Sequence, residues 1–133
     1  AHVHPSQDEL FELLAGEIRV KLDGEERVLR AGDTLSVPRG TSHQMWNAGD
    51  EDARAIWRVT PAGRTGDWFR ELGRLQREGI VAANGMPPLP VMAALLTEYR
   101  DVFRLATGPR PLVSGALKVL AIPGRRKLAA EAV

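Results

Sequence analysis

The residues best suited to chemistry lie close to the start of the chain. His2-Val3-His4 sets two imidazoles two residues apart, and on a strand such a pair points to one face. Glu9 follows, and the only other histidine in the chain is His43. Imidazoles gathered on one face can hold a divalent metal, although a histidine pair by itself is more often ordinary polar surface. The chain has no cysteine, so thiol nucleophiles, disulfide frameworks and cysteine-ligated zinc or iron–sulfur sites are all excluded.

The residues between and around the histidines recur at set intervals. After His2-Val3-His4, Glu9 comes beyond four residues and Gly16 beyond six more. Gly32, Pro38, Gly40, His43 and Asn47 then follow with gaps of five, one, two and three residues. These two stretches resemble the two motifs of the cupin superfamily, HxH-x4-E-x6-G and G-x5-P-x-G-x2-H-x3-N, and fill all nine positions. The gap of fifteen residues between Gly16 and Gly32 suits a small bacterial, RmlC-like cupin. The resemblance covers roughly residues 1–60, and the C-terminal remainder is similar to extensions of some actinobacterial cupin-domain proteins.

The resemblance implies a mainly β protein, a double-stranded β-helix or jelly-roll barrel with a metal inside. His2, His4, Glu9 and His43 take the positions of the family's ligands. Three imidazoles and one carboxylate suit a divalent transition metal such as Fe, Mn, Ni, Cu, Co or Zn. Phe11 and Leu13 share the face of Glu9, and Met45 shares that of His43 and Asn47, so these three are expected to line an apolar pocket wall. The glycines and Pro38 are read as turns and a fixed corner. Asn47 is read as a turn residue.

The implied function is dioxygenase-, isomerase- or lyase-like chemistry on a small molecule. The alternative is a cupin that binds or senses such a molecule without turning it over. No catalytic side chain beyond the ligands is assigned. The barrel half has no tyrosine and no fourth histidine, and Glu12 is out of phase with Glu9. Gln7, Gln44 and Arg58 are candidate supporting groups, and Tyr99 reaches the site only if a helix covers the barrel mouth. Trp46 and Trp57 are read as core or dimer contacts rather than ligand platforms. A homodimer is expected from the family.

Composition fits a folded enzyme or binding module of one domain's length. The chain has 133 residues, 44% hydrophobic and 26% charged, with a net charge of +1. That balance excludes a disordered chain and a strongly basic nucleic-acid binder. No apolar run reaches the length of a membrane span. The charge divides unevenly: residues 1–62 sum to −4 and residues 63–133 to +5. We therefore read residues 1–62 as the barrel and residues 63–133 as a helical extension packed on the barrel or on a partner subunit. Further N-terminal strands are expected before Ala1, and a cytoplasmic location is expected.

Two kinds of element must position the site. Glu17–Leu22 alternates apolar and charged residues, the period of a half-buried strand, and Asp23-Gly24 signals a hairpin returning through Arg27–Arg30. Strands are also expected over 34–37, 43–47 and about 53–60. Beyond residue 63 the periodicity is helical. One helix is expected from Asp67 to about Glu78, with Trp68, Phe69, Leu72 and Leu75 on its apolar face. A second is expected from about Pro90 to Ala106, with Val91, Leu95, Val102 and Phe103 as its stripe. A third is expected from Pro111 to Ile122, ended by Pro123-Gly124 before the basic run Arg125-Arg126-Lys127. That helix and basic run could lie on an anionic membrane, but about three turns are short for this, and membrane contact is not expected. Nothing resembles a helix-turn-helix, so no nucleic-acid partner is expected.

Overall fold

The computed structural model describes residues 1–107 and 110–128. They fall into two compact units, Ala1–Gly63 with Phe103–Ala106, and Arg64–Val102 with the chain from Thr107. Among these residues no helix is long and apolar enough to cross a membrane.

The first unit is built from β1 (His2–Val3), β2 (Asp8–Ala15), β3 (Glu17–Leu22), β4 (Glu25–Arg30), β5 (Thr34–Val37), β6 (His43–Asn47), β7 (Arg54–Thr60) and β8 (Arg104–Leu105). They form two antiparallel sheets, ordered β4-β3-β6-β1-β8 and β5-β2-β7. The alternation in β3 has the expected effect: Val20 is fully buried while Arg19 and Lys21 are exposed. Asp23 and Gly24 both take positive φ, as a two-residue type I′ hairpin requires. Leu13, Leu35 and Val37 from one sheet meet Val20 and Leu29 from the other in a buried apolar cluster. The architecture is mainly β, a two-layer jelly roll followed by helices.

The second unit contains α1 (Thr65–Arg77), α2 (Leu89–Glu98) and α3 (Arg110–Leu128). Trp68 and Leu75 on α1 are buried as expected, whereas Phe69 is turned out and half exposed. On α3, Ala121 is buried against Ala93 and Ala94 of α2, with Leu117 and Leu128 beside them.

Two helical expectations are corrected. The second helix ends at Glu98 instead of running to Ala106, and residues 104–105 are strand. Tyr99 and Val102 close a tight turn, after which Phe103 and Leu105 follow the two-residue period of a strand that pairs with β1. Phe103–Ala106 thus belong to the first unit, a return that is absent from the reading of residues 63–133 as one extension. The third helix also continues through Pro123 to Leu128. Proline removes one backbone bond there. The turn is kept by close packing of Gly124 on the backbone of Pro90 and by Arg74 donating to the carbonyl of Lys127 at 2.7 Å.

Candidate metal centre

Both sheets contribute to one cluster of polar side chains in the first unit. In the β1–β6 ladder His2 lies directly opposite His43, and His4 follows two residues along the same face. The ligand atoms of His2, His4 and His43 all lie within 4.8 Å of one another. Glu9 enters from β2 of the other sheet. Its Oε1 is 3.4 Å from His4 Nε2 and its Oε2 is 3.0 Å from His43 Nε2. His4, Glu9 and His43 are buried, and His2 is partly so.

The spacing of the donors suits a shared ion. Ligand atoms about 2.1 Å from one metal and about 90–110° apart lie about 3.0–3.4 Å from each other. The His2 and His4 Nε2 atoms are 3.1 Å apart, and the Glu9 distances fall in the same range. Glu9 Oε2 is also buried without a hydrogen bond, since its approach to His43 has the distance but not the direction of one. A buried carboxylate oxygen left in that state is costly unless something cationic meets it. By donor chemistry the three imidazoles could hold a divalent transition metal, with the Glu9 carboxylate beside two of them.

Neighbouring groups aim these donors. His43 Nδ1 lies 3.1 Å from the carbonyl of Thr41 and can donate to it, which turns Nε2 towards the cluster. The indole N–H of Trp57 donates to Glu9 Oε1 at 2.8 Å. Trp57 lies opposite Phe11 in the β2–β7 ladder and stacks on it, with 6.0 Å between centroids. Phe103, just before β8, stacks on the ring of His2 at 4.4 Å and meets His4 edge-on at 5.9 Å.

The electrostatics follow from this crowding. Burial, reinforced by His43 and His4, lowers the pKa of His2 to about 3, so it is neutral. Burial alone would push Glu9 up. His43, His4 and the Trp57 indole outweigh it and hold the carboxyl below its ordinary value. Burial likewise opposes a charge on His43, but Glu9 and the Thr41 carbonyl raise its pKa overall.

Of the expected pocket wall, Leu13 is a central member of the apolar core, and Phe11 and Met45 pack against that core. Gln7 is buried. Gln44 Oε1 instead accepts from the nitrogen of Ala1, and Arg58 pairs with Glu12 at the surface. Tyr99 is engaged within the helical unit, between Trp68 and the guanidinium of Arg64. Sequence reading missed the Trp57–Glu9 bond and the place of Phe103. The β7 alternation carried a signal for Trp57, because it puts residue 57 on the face of Phe11 and Glu9. No local pattern announced Phe103.

Comparison with known proteins places this geometry in a family. Residues 1–59 match the family model of the cupin domain. Polyketide synthase CurC of Streptomyces cyaneus is 38% identical over 60 residues, which is 45% of this chain and 39% of that protein. The tetracenomycin polyketide synthase protein TcmJ of Streptomyces glaucescens is 31% identical over 87 residues, 65% of this chain and 56% of that protein. Oxalate oxidase 2 of Hordeum vulgare is 35% identical over 63 residues, 41% of this chain and 28% of that protein. The chain thus spans little more than half, or less, of the length of these relatives. Residues 1–59, which carry both histidine motifs, form a cupin domain, and this match spans under half of the chain.

Proposed function

We propose that the barrel binds one divalent transition metal on His2, His4, Glu9 and His43 and serves chemistry on a small molecule that offers two oxygen donors. The observation that carries this reading is the gathering of three imidazoles, two of them within 3.4 Å of the buried Glu9 carboxylate, whose Oε2 makes no hydrogen bond. Iron, manganese, nickel, copper, cobalt and zinc all suit this donor set. When bound, such an ion supplies Lewis-acid polarisation of an oxygen or redox chemistry. Dioxygenase-, isomerase- and lyase-like reactions all lie within that range.

The chain's own residues prepare the site. Glu9 brings the one negative charge among the four donors, and Trp57 holds its Oε1. His43 is held by Thr41, and Glu9 raises its pKa, so a cation that takes this imidazole competes with a proton there. The apolar cluster around Leu13, Val20 and Val37 keeps water from the strands behind the donors. The substrate class rests on two chemistries with a shared feature. Polyketides, named in two relatives, carry 1,3-dicarbonyl groups, and oxalate, named in a third, carries adjacent carboxylates. Both present paired oxygens at chelating distance.

One observation favours the second reading, binding without turnover. Apart from the proposed ligands, Gln7 is the only buried polar side chain among the described residues of the barrel, and it cannot act as a general base.

The test is metal analysis of the purified chain beside His43→Ala, then incubation of the loaded protein with acetylacetone and with oxalate. About one equivalent of metal, lost in the variant, supports the site. Conversion of either probe supports an enzyme, whereas saturable binding without conversion supports the second reading. Absence of metal after reconstitution overturns the metal reading and leaves a pocket for an organic ligand.

A further inference from the structure

We infer that Phe103 is a positioning residue of the metal centre, holding the imidazole of His2 from a strand a hundred residues away in sequence. The inference rests on the metal reading above.

The proposed ligands have holders of different kinds. Thr41 holds His43 through a backbone carbonyl, and Trp57 holds Glu9 through an indole N–H. At His2 the holder is an aromatic face. The Phe103 and His2 rings are nearly parallel, at 14°, with centroids 4.4 Å apart, and the edge of Phe103 meets His4 at 87°. A histidine ring turns about its second side-chain torsion in a broad well, so a flat surface against it is what sets the ring plane. The plane in turn sets where Nε2 points, and Nε2 of His2 is the atom 3.1 Å from Nε2 of His4.

The backbone delivers Phe103 to this place by pairing. In the β1–β8 ladder Leu105 lies opposite His2 and Arg104 opposite Val3. Continued along the strands, that register sets Phe103 across from His4, on the same face as both histidines. The N–H of Ala106 closes the other end on the carbonyl of Ala1 at 3.2 Å. The segment Phe103–Ala106 packs with the barrel although the chain on either side of it belongs to the helical unit. Its place in the first unit is thus tied to the ligand strand itself.

The experiment is a Co(II) titration of the full chain, read by visible absorption, for wild type, Phe103→Leu, Phe103→Met and Phe103→Tyr. Loss of the flat face in the Leu and Met variants is expected to weaken Co(II) binding about tenfold and to change the absorption envelope, as other losses of ligand-orienting partners do. Phe103→Tyr, which keeps the face, is expected to stay within about twofold of wild type. In a His2→Ala background the Phe103→Leu change should cost nothing further, because the residue acts through His2. A metal-free proton spectrum supplies an independent reading. The His2 ring protons should lie upfield under the Phe103 ring current and move downfield in Phe103→Leu. If Phe103→Leu and Phe103→Met bind Co(II) as wild type does, or if Phe103→Leu still costs tenfold without His2, the inference is overturned while the metal site stands. If the wild type takes up no Co(II), the metal reading fails and takes the inference with it.

Discussion

Trp57→Phe separates support of the metal centre from membership of it. The substitution keeps the ring stacked on Phe11 and removes one group, the indole N–H that donates to Glu9 Oε1 at 2.8 Å. What remains near Oε1 is His4 Nε2 at 3.4 Å. A hydrogen bond to a charged group contributes about 1.5–3 kcal/mol. Trp57 is 36% exposed, so water can reach part of the vacated side, and a loss of about 1–2 kcal/mol in the metal-free protein is expected. The sign of the pH dependence follows from Glu9, whose folded pKa is depressed. Its contribution is present above the ordinary value of 4.5 and is lost as pH falls through the lower folded value. Trp57 is the smallest of the named influences on that carboxyl, so most of the variant's deficit should persist at low pH. Urea denaturation at pH 7 and pH 4 measures this, and a Co(II) titration should show about tenfold weaker binding because Glu9 is less firmly aimed. Unchanged stability together with a metal affinity within twofold of wild type would refute the reasoning. A stability loss with unchanged affinity would make Trp57 a structural residue only.

Further expectations concern the cluster's protons and the helical unit. Metal loading should release protons, increasingly as pH is lowered, because Glu9 and the Thr41 carbonyl raise the pKa of His43, which must be neutral to bind an ion. Calorimetry in buffers of different ionisation enthalpy measures it, and a heat that does not depend on the buffer counts against it. In metal-free protein His2 should stay neutral down to about pH 3, while His43 titrates above 6.5. The lowered pKa of His2 makes stability fall as pH drops from 6.5 towards 3, because the unfolded chain takes up that proton first. The raised pKa of His43 works the other way, adding stability below 6.5 that is lost as pH rises through its folded value. Histidine NMR titration reads both, and the reverse order of titration would contradict the electrostatics. Gly124→Ala should destabilise the helical unit by about 2–3 kcal/mol, since an added Cβ would lie 2.1 Å from the carbonyl oxygen of Pro90. A thermal scan followed by helical circular dichroism measures it, and an unchanged midpoint would show that the α2–α3 contact is looser than described.

The strands were legible where one face is wet and the other dry. Glu17–Leu22 and Thr34–Val37 each alternate, and two-residue or glycine-led turns bound the strands, so period and punctuation agree. The helices were less legible at their ends. Val91, Leu95 and Val102 do form part of a buried apolar set. Helical phase could not reveal that the next residue, Phe103, leaves that set and leads into a strand that pairs with the first one. Pro123 misled for a related reason. A proline is a local signal to stop, and what overrides it here is tertiary, the seat of Gly124 on Pro90 and the bond from Arg74 to the carbonyl of Lys127.

The candidate ligands and the groups that hold them differ in the same way. His2, His4 and Glu9 lie within eight residues of one another, and His43 begins a strand just after a glycine- and proline-marked turn, so their spacing is a pattern along the chain. Trp57 is 48 residues from Glu9, and Phe103 is a hundred residues from His2. Their roles come from the register of β2 with β7 and of β1 with β8, which exists only once the sheets have formed. A donor set must be chemically specific, since few side chains bind a metal, whereas a holder needs only a flat face or one N–H at the right place. Many residue types satisfy the second demand, and that is why the holders leave so little trace in sequence. It follows that variants at Trp57 and Phe103 should grade the metal affinity, while variants at the four candidate ligands should lower it far more. That contrast is the measurable difference between residues that hold the ion and residues that hold the ligands.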